Sequence, residues 1–122
     1  MMLADMGAEV IKVEKIDGGD DSRRMVPPQV GDESAAFLMM NRNKRGVALD
    51  LKSDDGRAIL KDLLKNADCV IENFRHDTME RLGLSYDELT AINPMWKFQD
   101  MEGQAPIANE QALIWSHKEP RV

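Results

Sequence analysis

Cysteine is all but missing from this chain: Cys69 is the single one in 122 residues. One thiol can neither close an internal disulfide nor build a zinc cage, so the sequence points to a reducing, cytoplasmic setting. Histidine is nearly as scarce. His76 and His117 lie far apart, and no metal is expected. Glycine and proline number 8 and 5, and 31% of residues are charged, which excludes a collagen-like or wholly disordered chain. No apolar run reaches the ~18 residues of a spanning helix, and no basic segment leads an apolar one at the start, so no membrane association is expected. Positive charge is in deficit, with a formal net charge of −6. Duplex binders present basic surfaces, so nucleic acid is not an expected partner. Neither a P-loop nor a GxGxxG motif is present.

What is there is one domain's worth of apolar residues, 43% of the chain. A chain of this length buries ~60–70% of its unfolded surface, enough for one core. Met2–Gly7 reads as the end of a helix stopped by glycine, and a chain that opens inside a helix end predicts something before it. Ala8–Glu14 alternates apolar and polar residues with Val10, Ile11 and Val13, the pattern of a strand. A loop follows over 15–33, with Gly18-Gly19 as a plain turn. Residues 34–41 suit a short helix and 46–51 a second strand. Ser53 is a helix N-cap, with Asp54 and Asp55 in the first turn. Ile59, Leu60, Leu63, Leu64 and Ala67 then form one apolar face.

Asp68–Glu72 returns as a strand, which completes a right-handed βαβ unit and predicts an α/β fold with a parallel sheet. Asp77 can cap a short turn ending at Gly83. Ser85 with Glu88 forms a capping box for a helix to about Ile92, before Asn93-Pro94. Residues 1–94 are expected to form the domain, and 95–122 a divergent tail with a strand at 96–101 and a helix at 108–115. The nine methionines read as core filling.

Two constellations could carry chemistry. Arg42, Lys44 and Arg45 put three cations before a strand in an acidic protein. They read either as a solvated loop or as a locally positive anion site. Asn73, Phe74, Arg75 and His76 follow a parallel strand, where ligands of open α/β sheets bind. Asn can hydrogen-bond a base, Phe can stack and Arg can pair with phosphate; equally, Asn73 can end the strand and Phe74 pack. His76 reads as a surface residue. These residues suggest an anionic, nucleotide-like ligand without specifying a reaction.

LADMGAEVIKVEK (3–15), GDDSR (19–23), NRNKRGVALDLK (41–52), ADCVIENFR (67–75) and MERLGLSYDEL (79–89) together resemble the family III CoA-transferases, the group that includes formyl-CoA transferase and α-methylacyl-CoA racemase. The resemblance runs in order from Leu3 to Pro94. It implies a Rossmann-like half that binds coenzyme A, with acyl-CoA as substrate. It also implies site roles: Lys15 at the nucleotide phosphates, Leu49, Asp50, Leu51 and Lys52 along the adenosine pocket, Asn73, Phe74 and Arg75 against the CoA, and Arg81 on a phosphate. Arg42, Lys44 and Arg45 receive only a supporting electrostatic role.

Two departures accompany the match. Family members carry a strand ahead of the LADLGAEVIKVE block, so a partial sheet lacking a central strand is expected. After Asn93-Pro94 the family continues to a GxGxxGP loop and a nucleophilic aspartate that forms acyl anhydride and thioester intermediates. Residues 95–111 depart from that pattern, Gly103, Gln104 and Pro106 echo it faintly, and Asp100 is not assigned as the nucleophile. The resemblance therefore implies a truncated CoA-binding piece, inactive alone. The alternative is a non-catalytic interaction module. An open sheet edge would serve as a pairing template, and a tail with Trp96, Phe98, Ile114 and Trp115 would fill the gap or form a homodimer interface.

Overall fold

Glycine ends the first helix, as the sequence predicts. In the computed structural model, which describes residues 2–72, 74, 77–94, 97–100 and 112–116 (the last two stretches as backbone only), α1 (Met2–Asp5) stops before Gly7 at φ +97°. The chain then enters β1 (Glu9–Glu14). The loop after it contains a 3₁₀ turn (Asp21–Arg24) and a small hairpin of β2 (Gln29–Val30) and β3 (Glu33–Ser34). Ser34 Oγ accepts from the Phe37 amide and caps α2 (Ala35–Asn41). The second strand, β4 (Lys44–Ala48), starts two residues before the expected position and ends before Leu49.

Helix α3 (Asp54–Leu64) forms where its cap signals place it, with Ser53 Oγ accepting from the Gly56 amide at 3.0 Å. Leu60, Leu64 and Ala67 are buried, but Ile59 is 48% exposed, so the packed face is narrower than its periodicity suggested. β5 (Cys69–Glu72) follows, then α4 (Thr78–Arg81) and α5 (Tyr86–Ile92). The Ser85–Glu88 capping box is formed. Asp77 occupies the N-cap position of α4 at φ +62°, without a side-chain capping bond.

The sheet order is β4-β1-β7-β5-β6, with β6 at Lys97–Asp100 and β7 at Ala112–Ser116. β1 pairs with β4 and β5 with β6 in parallel, so the α/β class with parallel pairing holds. Two expectations are corrected. Residues 112–115 are strand rather than helix: a short apolar run has no decisive periodicity, and the backbone groups of its neighbours need partners. The sheet is also mixed, because β7 lies antiparallel between β1 and β5, with Ile114 opposite both Ile11 and Val70. The βαβ crossover from β4 to β5 therefore passes over two strands, and the centre of the sheet is filled.

The core lies on one face of this sheet, where Val13, Leu49 and Val70 meet Leu60, Leu64, Phe74, Leu84 and Leu89. On β1, alternation turns Lys12 to the opposite face. It is only 2% exposed there, against α2 and the 3₁₀ turn. The methionines depart from core filling: Met2, Met6, Met25, Met39 and Met40 are exposed.

Candidate functional site

The parallel strands β1, β4 and β5 point their carboxyl ends the same way, and the segments beyond them enclose a cleft of about 890 Å³. Its floor is apolar: Val13 from strand β1, Leu49 just past β4 and Phe74 just past β5, with Leu51 and Leu82 also lining it. Phe74 is 8% exposed, and its amide donates to Glu72 Oε2 at 2.7 Å, which turns the chain out of β5. The rim is charged. Lys15 and Asp17 follow β1, Asp50 and Lys52 follow β4, Arg57 comes from α3 and Arg81 from α4.

The β4–α3 turn is tightly bonded. The Asp50 carbonyl accepts from the Ser53 amide at 3.1 Å and the Ser53 hydroxyl at 2.8 Å, while Asp50 Oδ1 accepts from the Lys52 amide at 2.9 Å. Gly56 is required by packing, since a Cβ there would stand 2.0 Å from the Asp50 carbonyl oxygen. Lys15 pairs with Asp21 at 3.1 Å, both about half exposed. Among the described residues, no ion pair engages the side chains of Lys52 or Arg81, so both cations face the cleft with charge to spare.

Glu14 also borders the cleft, but its charge is already matched. Lys12 Nζ lies 3.5 Å from Oε1, and the Asp20 amide and Arg23 Nε donate to Oε2 at 3.1 and 3.3 Å. Lys12 pairs in addition with Asp20, and both Lys12 and Arg23 stand over the Phe37 ring. What remains is an apolar floor with Lys52 and Arg81 on its rim, two cations in no ion pair among the described residues, beside Asp17 and Asp50. Such a cleft can take a flat apolar group and hold attached anionic groups at its edge.

Of the residues singled out by sequence, Lys15, Leu49, Asp50, Leu51, Lys52, Phe74 and Arg81 all line this one cleft. Asn73, Arg75 and His76 lie outside the described residues. The cluster at 42–45 does not line the cleft. Arg42 pairs with Asp5 at 2.6 Å, Arg45 with Glu9, and Lys44 donates to Asn41 Oδ1 at 3.1 Å. The Arg42 hydrogen bond holds the Asp5 carboxyl below its ordinary range. Burial, with Lys12 nearby, lowers Lys44. Of the two readings the cluster left open, a solvated loop or an anion site, the structure favours the solvated one, with Arg42 and Arg45 half or more exposed and each in an ion pair. Sequence reasoning missed Arg57. The signal available was a cation placed at the helix end whose dipole disfavours it.

Three comparisons bear on this cleft. The chain matches the family model described as CoA-transferase family III over residues 1–104. It is 46% identical over 99 residues to the succinate–glutarate CoA-transferase of Agrobacterium fabrum, covering 76% of this chain and 25% of that one. It is 42% identical over 114 residues to the acetyl-CoA:oxalate CoA-transferase of Acetobacter aceti, covering 91% and 29%. Among solved structures, a CAIB/BAIF family protein from Brucella suis superposes with a TM-score of 0.74 at 40% identity, over 80% of this chain and 27% of that one. The chain thus spans about a quarter of the length of the curated relatives it matches.

Proposed function

The chain belongs to CoA-transferase family III, and we propose that its cleft binds the nucleotide end of an acyl-CoA. In this reading the chain serves an activity that moves CoA between an acyl-CoA and a carboxylic acid. The observation that carries it is the convergence of Lys15, Lys52, Arg57 and Arg81 around a floor of Leu49, Leu51 and Phe74. The adenine ring suits the apolar floor, and the phosphates suit the cationic rim. The fold is read as a variant of the Rossmann-like CoA-binding half, with residues 1–94 as its body and 95–122 as a divergent tail. Asn73 and Arg75 are assigned to the same ligand.

The proposed setting is the cytoplasm, without metal and without a nucleic-acid or membrane partner. No described helix is long and apolar enough to cross a membrane. The test is calorimetric titration of CoA against the wild type and Arg81→Glu. Reversing a phosphate-facing cation is expected to weaken binding about tenfold or more. Equal affinity in the two proteins would remove Arg81 from the site.

A second reading, a homodimeric interaction module, draws support from the exposed apolar side chains of Met2 and Leu3 on α1, Met6 just after it, and Leu38, Met39 and Met40 on α2. Size-exclusion with light scattering tests it. A dimer mass is expected, and a strict monomer at high concentration would end it.

A further inference from the structure

Arg57 sits at the start of α3, beside Asp54 and Asp55. A helix N-terminus favours carboxylates and disfavours a cation. The guanidinium is engaged elsewhere. Nη1 donates to the Leu51 carbonyl at 3.2 Å and to the Lys52 carbonyl at 2.7 Å, and Nη2 pairs with Asp54 Oδ1. The side chain is 25% exposed and borders the cleft.

These two carbonyls belong to the turn that carries Leu51 and Lys52 into the cleft wall. The rest of the turn is held from within, by Asp50 and Ser53. Arg57 is the group that ties it to the helix from the cleft side. Nη1 bonds both oxygens while Nη2 holds Asp54 in the same rigid plane, an arrangement over two nitrogens that the single ammonium nitrogen of lysine does not reproduce.

We infer that Arg57 is a positioning residue of the cleft: it holds the Leu51–Lys52 turn so that the Lys52 ammonium meets the anionic ligand. This rests on the CoA reading of the cleft. It differs from a purely structural role in one respect: the effect of Arg57 on ligand affinity runs through Lys52.

The test titrates CoA into the full chain as wild type, Arg57→Met, Arg57→Lys, Lys52→Met and the Arg57→Met/Lys52→Met double variant. Amide hydrogen exchange at Lys52 and Ser53 is followed alongside. Loss of a charge-assisted hydrogen bond predicts affinity about tenfold weaker in Arg57→Met. Faster exchange at the two amides and little recovery in Arg57→Lys are expected with it. The double variant should bind no more weakly than Lys52→Met alone, because the two residues act in series.

Losses that multiply in the double variant would overturn the assignment, as would full affinity in Arg57→Met. If Arg57→Met does not fold, Arg57→Lys decides: wild-type affinity and exchange in that variant would overturn it. A wild type that takes no CoA at all overturns the reading of the cleft, and this assignment with it. A wild type that binds beside an unaffected Arg57→Met overturns this assignment alone.

Discussion

Lys12 shows how far a single residue can depart from its sequence pattern. In the run Ala8–Glu14 it occupies a polar position between valines and isoleucine, which alternation assigns to solvent. The structure instead buries it to 2% exposure, with Asp20 and Glu14 as its ion-pair partners. Those partners come from the strand end and from beyond the Gly18-Gly19 turn, so no local pattern could reveal them. Removing the cation would take an ion-pair partner from two buried carboxylates, Glu14 and Asp20. Lys12→Met is therefore expected to cost about 3–5 kcal/mol, measured by urea unfolding. A loss below 1 kcal/mol would show that the cluster is well solvated. The cleft residues were more legible. Lys15 and Lys52 lie beyond strand ends and Arg81 is the last residue of α4, positions from which side chains can face a ligand. Arg57 was hidden because its bonds are to backbone carbonyls, which a sequence does not display.

At the scale of the element, the legible parts were those written in caps. Ser34, Ser53 and Ser85 each start a helix through a side-chain bond to the backbone, within three residues of the cap. Glu88 completes one of these caps, and its carboxyl lies below its ordinary 4.5, chiefly because the Ser85 amide donates to it. Folding thus favours the carboxylate form. Its contribution is complete above 4.5 and is lost as pH falls through the lowered folded-state value. The Tm gap between wild type and Glu88→Gln is expected to be widest near neutrality and to narrow in acid. A gap that holds constant with pH would dissociate the cap from ionisation.

β7 was not legible, and the reason is nonlocal. Ala112–Ser116 is too short for its period to decide between helix and strand, and its partners lie about a hundred and about forty positions earlier in the chain. As an interior strand it has neighbours on both sides. Ile114→Pro would delete a donor and force the backbone there, at an expected cost of about 3 kcal/mol or more. Thermal unfolding unchanged by that substitution would remove β7 from the sheet centre.

For the whole molecule, charge is the organising contrast. The chain carries −6 overall, yet Lys15, Lys52, Arg57 and Arg81 line one cleft at the carboxyl ends of parallel strands. Glu14 on the cleft is already paired with Lys12 and Arg23, while Lys52 and Arg81 are in no ion pair among the described residues. An anionic ligand is therefore drawn by a local field that opposes the global one, and added salt should weaken that attraction. Calorimetric titration of the purified chain with CoA, at low and at moderate salt, tests this most directly. Saturable binding that weakens as salt rises is the predicted result. A folded chain that releases no heat with CoA at either salt would contradict the assignment of the cleft.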